Sequence, residues 1–168
     1  PDEAEIEAVF NRYKNSVAHA DRVAGALLDA LERHGVARDT LVVVTGDHGE
    51  EFFEHGHFGH TSNFTAAQVA VPFLLGGPGV PPGVETRPTS HVDLAPTLLG
   101  LLGADPAARA DWSLGLDLLD LPDDTAASER VRVVAGWDEL GLWVPGGILY
   151  LPLEGHKGPV EGYTRDWT

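Results

Sequence analysis

The chain has 168 residues, long enough for one domain, and its 43% hydrophobic content excludes an intrinsically disordered acidic tail. Acidic residues outnumber Lys plus Arg by 26 to 11, a formal net charge of −15, which argues against nucleic acid and anionic lipid as electrostatic partners and suits a hard cation. Without cysteine there is neither a disulfide framework nor a thiolate metal site, and no apolar run approaches the ~18 residues of a membrane span.

The chain opens Pro-Asp-Glu-Ala rather than on Met, which reads as a processed product or a piece of something longer. Residues 2–34 carry apolar side chains at three- and four-residue steps (Ile6, Val9, Phe10, Tyr13, Val17, Val23, Leu27, Leu28, Leu31), predicting one long amphipathic helix. Asp2 and Glu5 have the form of a capping box, and Gly35 suits the left-handed position past the end. Leu41-Val42-Val43-Val44-Thr45 is apolar without alternation, the pattern of a strand covered on both faces in a parallel sheet. Residues 46–63 lose hydrophobic periodicity and gather Gly, Glu and His, as a functional loop after such a strand does. A second buried strand is expected at 71–75, with Pro72 at its start, and a glycine- and proline-rich surface turn at 76–83.

A short helix is predicted over 93–102, with Asp93 as N-cap, Pro96 in the first turn and Gly103 beyond the end. Residues 104–129 read as irregular and acidic, and the Asp117–Asp124 stretch as solvated surface. From 130 the pattern alternates at period two, and the runs 140–144 and 148–153 flank Pro145-Gly146-Gly147, the signature of a hairpin in a small antiparallel sheet. The division this gives is an α/β part at 1–128 and a small antiparallel β subdomain at 129–168.

The chemistry concentrates after the first strand. Side chains leaving the carboxyl end of a strand in an open α/β sheet point into its ligand site, and Gly46-Asp47-His48-Gly49-Glu50 stands there. Asp47 supplies carboxylate oxygens and His48 an imidazole nitrogen, a hard-to-borderline donor pair for Ca, Mg, Mn or Zn. Four of the eight histidines fall between 48 and 60. Two glycines interrupt His55, His57 and His60, which is not zinc-helix spacing, and a solvated loop accounts equally for His55 and His57. His60 precedes Thr61-Ser62-Asn63, read as a helix start able to hold an anion. Thr61 or Ser62 as a nucleophile with His60 as its base is the minor reading. His91 and Asp93 are assigned to structure, and so are His19 and Asp21 on the first helix.

Together these segments resemble the sulfatase family of the alkaline phosphatase superfamily. The resemblance runs through Val-Val-Val-Thr-Gly-Asp-His-Gly-Glu at 42–50, Gly-His-Thr at 59–61, Val-Pro-Phe-Leu-Leu at 71–75 and Ser-His-Val-Asp-Leu-Ala-Pro-Thr-Leu-Leu at 90–99. Tyr13 to Val17, Asp21 and Leu31-Glu32 resemble the helix before the metal strand. The resemblance implies an alkaline-phosphatase-like α/β fold with a parallel or mixed sheet flanked by helices, present here in part. It implies that Asp47 and His48 are metal ligands and that His60 is the catalytic contact to the sulfate or phosphate group. The divalent metal is calcium if the protein is a sulfatase, and magnesium, manganese or zinc if it is a phosphotransferase.

The family's Cys/Ser-x-Pro-x-Arg nucleophile motif is absent, and Thr86-Arg87-Pro88-Thr89 imitates it only faintly and in the wrong order. The reading is therefore the C-terminal half of a catalytic domain, inactive alone. Its expected setting is the periplasm or the extracytoplasmic face of a membrane, with anchoring through a segment not present here and a sulfate or phosphate ester as substrate. Glu50, Glu51 and His55 match membrane-anchored, lipid-active relatives better than arylsulfatases. Two other readings stand beside it: a phosphoglycerol or phosphoethanolamine transferase acting on envelope lipids, and a non-catalytic sensor or binding domain. Exposed strand edges are expected to make the isolated chain a homo-oligomer.

Overall fold

Asp2 and Glu5 form the predicted capping box: the Asp2 carboxylate accepts from the Glu5 amide at 2.9 Å, and the Glu5 carboxylate from the Asp2 amide at 3.0 Å. From this cap helix α1 runs over Glu3–Arg33, and Gly35 follows with φ 71°. The computed structural model describes residues 1–105, 111–121, 129–154 and 158–168. No residue of α1 is fully buried. Its apolar stripe is covered only in patches: the Phe10 and Tyr13 rings each lie 5.1 Å from Phe52, and Leu27, Leu28 and Leu31 line a groove against Leu41–Val44. None of the described helices is long and apolar enough to cross a membrane.

Strand β1 (Val42–Thr45) follows, and its partner is not a parallel neighbour. The 46–72 excursion turns the chain around, so that β4 (Phe73–Gly76) lies antiparallel to β1 with Val42 opposite Gly76 and Thr45 opposite Phe73. The expectation of parallel strands covered on both faces is corrected here. An unbroken apolar run reports that a strand can be buried, not which way its neighbour runs. Val44 and Leu74 remain 40% and 58% exposed, so among the described residues the cover over these strands is incomplete. The ladder begins at Phe73, which leaves the missing N–H of Pro72 outside it. Within the excursion lie a two-residue ribbon, β2 (Glu51–Phe52) against β3 (Phe58–Gly59), and a four-residue helix α2 (Ala66–Val69).

Helix α3 (Leu94–Leu101) is preceded by a 3-10 turn at His91–Asp93. Asp93 stands at the N-cap of α3, as the sequence predicts, but its side chain makes no capping bond to that helix. Its carboxylate instead closes a capping box with Ser90, accepting from the Ser90 amide at 2.8 Å, and receives both guanidinium nitrogens of Arg130 at 2.7 and 2.5 Å. Of the acidic 117–124 stretch, residues 122–124 lie outside the described residues, and Asp117 is half-buried and accepts from the Leu119 amide.

The predicted C-terminal sheet is present and antiparallel throughout, in the order β5 (Arg132–Ala135), β6 (Glu139–Val144), β7 (Gly147–Pro152), β8 (Glu161–Tyr163). Its hairpin turns between Val144 and Gly147. This sheet closes over the segment that follows His60. Phe64, Trp143 and Ile148 form the buried core, and the Trp143 indole N–H donates to the Phe64 carbonyl at 2.8 Å. Gly141 permits that approach: a Cβ there would lie 2.5 Å from the Phe64 ring.

Candidate functional site

The end of β1 is pinned before the chain turns. His91 Nε2 sits 2.8 Å from the Gly46 carbonyl and 3.3 Å from Thr45 Oγ1, tying the turn before α3 to the residue that precedes Asp47. Asp47 then projects its carboxylate into the open, 89% exposed, with Oδ1 accepting from the His48 amide at 3.0 Å. Hydrogen bonds from its own amide and from that of His48 hold this carboxyl below its ordinary range. The His48 ring turns Nδ1 to the Gly49 carbonyl at 2.8 Å, so Nδ1 carries the proton and Nε2 keeps its lone pair, 3.7 Å from Asp47 Oδ2.

His60 reaches the same place from the far side of the β2–β3 ribbon. Its ring centroid is 4.0 Å from that of His48, and its Nδ1 lies 3.3 Å from a Glu50 carboxylate oxygen. The helix start expected at 61–63 does not form. Thr61 instead takes φ 72°, a conformation β-branched residues rarely adopt, and the short helix begins only at Ala66. Strain of this kind is held where the surroundings over-determine the backbone.

Those surroundings centre on Glu51, which is wholly buried. Its carboxylate accepts from Asn63 Nδ2 at 2.6 Å, Gln68 Nε2 at 2.8 Å, the His55 amide at 2.9 Å and the His57 amide at 3.1 Å. Burial pushes this carboxyl up, but the bonds from Asn63 and Gln68, then those from the two amides, outweigh it and bring it down to about 2. Gln68 also accepts from the Ser62 amide at 3.1 Å and donates to the Ser62 hydroxyl at 2.7 Å, and its carbonyl takes the Gly49 amide at 2.7 Å. One network thus joins the segment after His48 to the segment after His60. His55 and His57 are half-buried around Glu51 rather than free in a solvated loop, and they do not line the cavity. His19 and Asp21 are exposed on α1, away from it.

Asp47, His48 and His60 line a cavity of about 540 Å³ together with Thr61, Ser90 and His91. Its opposite wall is the C-terminal sheet, with Arg132, Glu139 and Trp143. The sequence places His91 as structural, and it singles out neither Arg132 nor the Glu51–Asn63–Gln68 network as part of the site. A signal existed for each: Arg132 in the alternation of β5, His91 in the Ser-His-Val-Asp block, and polar Asn63 and Gln68 in an otherwise apolar stretch.

No group of three or more His, Asp or Glu among the described residues is arranged to hold a metal ion. The donor chemistry of Asp47 and His48 nevertheless fits part of a divalent-cation shell: an exposed, ionised carboxylate beside an imidazole whose tautomer leaves a lone pair free.

The chain belongs to the sulfatase family, whose profile matches residues 1–104. The fold is the alkaline-phosphatase-like α/β fold of the sulfatases. Among the relatives, a choline-sulfatase of Rhizobium meliloti is 32% identical over 119 residues, covering 71% of this chain and 23% of the relative. Arylsulfatase K of Xenopus laevis is 33% identical over 137 residues, covering 80% of this chain and 25% of the relative. The crystal structure of a sulfatase-assigned protein from Bacteroides thetaiotaomicron superposes with a TM-score of 0.69 at 22% identity, covering 97% of this chain and 37% of that one. The chain thus spans about a quarter of the length of the curated relatives.

Proposed function

We propose that these residues form the C-terminal portion of a metal-dependent hydrolase of sulfuric or phosphoric esters, working outside the cytoplasm as the family resemblance implies. The observation that carries this reading is the 4.0 Å approach of the His48 and His60 rings beside Asp47, at the end of β1 and on one cavity. Asp47 and His48 would hold the divalent cation, calcium in a sulfatase. Bound there, such an ion offsets negative charge on the transferring group.

His60 has the complementary task. Glu50 engages its Nδ1 and thereby fixes the ring, leaving Nε2 to meet an anionic ester oxygen or, when protonated, to donate to the leaving oxygen. The Glu51 network and the strained Thr61 backbone hold the ring against thermal drift, and small displacements of such groups are costly to catalysis. In this proposal the nucleophile comes from outside the 168 residues, because no Cys/Ser-x-Pro-x-Arg occurs in them. The 129–168 subdomain acts as a wall of the site.

Aryl sulfate and aryl phosphate esters assayed with the 168-residue chain and added Ca, Mg, Mn or Zn test the division of labour. No turnover above background is expected. Turnover that disappears in Ser62→Ala would place a nucleophile within this chain and overturn it.

A further inference from the structure

Two arginines that reach buried or half-buried surroundings are engaged by carboxylates nearby. Arg130 is held by Asp93, and Arg87 by Glu85. Arg132 differs. It lines the cavity that Asp47, His48 and His60 share, its Nε is sealed from solvent without a hydrogen-bond partner, and among the described residues no carboxylate lies within ion-pair distance of it.

Its guanidinium is not loose. The carbon centre stands 5.0 Å from the ring centroid of Trp143, itself buried and fixed by its bond to the Phe64 carbonyl. Arg165 approaches the same ring at 5.6 Å. Burial first, and then the charges of Arg165 and Arg130, make it harder for Arg132 to carry its own charge, yet a guanidinium does not give up its proton in a protein. A half-buried, unpaired cation beside other cations is unfavourable, and a ligand that brings the missing acceptor relieves it. The planar fork of arginine fits a carboxylate or a sulfate through two parallel bonds. Among the described residues lining that cavity Arg132 is the only Lys or Arg, and Glu139 and Asp47 line it too, so a second anionic group finds its countercharge at Arg132.

We propose that Arg132 is a specificity-determining residue which pairs with a second anionic group, carboxylate or sulfate, on the molecule whose ester group meets His60. This rests on the ester-hydrolase reading above. A cavity of about 540 Å³ lies within the ordinary range for small-molecule sites and has room for a substituted hexose.

The test compares three sugars that share one ester sulfate: glucose 3-sulfate, its uronic acid counterpart, and the glucose disulfate whose primary alcohol is also sulfated. Each is titrated with calcium present into the wild-type chain and into Arg132→Gln and Arg132→Lys, following the Trp143 indole N–H by NMR. The wild type should bind at least one doubly anionic sugar about tenfold tighter than the monosulfate, and whichever it is identifies the second group. Arg132→Gln should erase that preference, weakening the doubly anionic sugar about tenfold more than the monosulfate, and Arg132→Lys should keep part of it. Unchanged indole and methyl signals elsewhere in the spectrum verify that both variants fold. Monosulfate binding with no gain from the second group, or a gain that survives in Arg132→Gln, overturns the Arg132 assignment alone. Absence of binding by all three sugars overturns the ester-hydrolase reading and this inference with it.

Discussion

The imidazole rings of His48 and His60 lie 4.0 Å apart, and each is oriented by a different partner on the same loop. His48 uses Nδ1 on the Gly49 carbonyl, and His60 uses Nδ1 on the Glu50 carboxylate. Both rings are therefore left with Nε2 for chemistry, and the residues that aim them are neighbours in sequence. The hub that brings the two ends of the loop together is Glu51.

Glu51 makes the fold acid-sensitive. Its carboxyl stands at about 2 when folded against an ordinary 4.5, so the stabilisation it gives is fully present above pH 4.5 and is lost as pH falls towards 2. The displacement corresponds to about 3 kcal/mol. Glu51→Gln should lower stability near neutral pH by an amount of that order and flatten the dependence between pH 4.5 and 2. Chemical denaturation followed by circular dichroism across that range checks it. An unchanged slope in the variant would mean that other groups carry the acid sensitivity.

Gly49 is required by close approach rather than by its dihedral angles. A Cβ at this position would stand 2.1 Å from the Ala67 carbonyl oxygen, and the Gly49 amide is bonded to the Gln68 carbonyl. Gly49→Ala should cost about 1–3 kcal/mol by overpacking and push His48 away from His60. Thermal melting gives the first quantity, and the nuclear Overhauser effect between the two rings gives the second.

Arg130 and Asp93 join the C-terminal sheet to the turn that carries His91. The carboxylate is wholly buried and also accepts from the Ser90 and Leu116 amides. Arg130→Ala leaves that charge without its cation and should destabilise the chain by roughly 3–5 kcal/mol. The double variant with Asp93→Ala should recover part of this loss, which denaturant titration measures directly.

Self-association is expected of the isolated chain. Among the described residues β1 and β4 pair only with each other, and Val44, Leu74 and Leu27 present apolar surface around them. Free strand edges of this kind pair with other chains. Light scattering at micromolar concentration should give more than a monomer mass. A monodisperse monomer contradicts the expectation.

The parts of this molecule legible in its sequence are those set by local rules. The Asp2–Glu5 cap, the 3.6-residue stripe of α1 and the Pro145-Gly146-Gly147 turn each involve residues within a few positions of one another. The position of Asp47 and His48 directly after β1 was legible because glycines and an apolar strand frame them. The antiparallel partner of β1 was not, since strand direction depends on how the 46–72 excursion folds back. Nor was the role of Glu51, whose partners lie at 55, 57, 63 and 68 and whose neighbour Glu50 has the same composition but a different task. The setting of Arg132 was not legible either, since it depends on which side chains surround it in space: among the described residues no carboxylate lies within ion-pair distance of it.

The claim on which the account turns is that Asp47, His48 and His60 act on one ligand. Titration of calcium and then glucose 3-sulfate into the chain, read from the ring protons of His48 and His60, tests it most directly. The account predicts weak calcium binding that shifts His48 and is lost in Asp47→Ala, since two recognisable donors fall short of the ~6 that calcium takes. It also predicts that subsequent sulfate-ester binding moves His60 in wild type and is abolished in His60→Ala. Rings that respond to neither ligand, or a His60 response that persists when Asp47 and His48 are both replaced by alanine, would contradict a shared site.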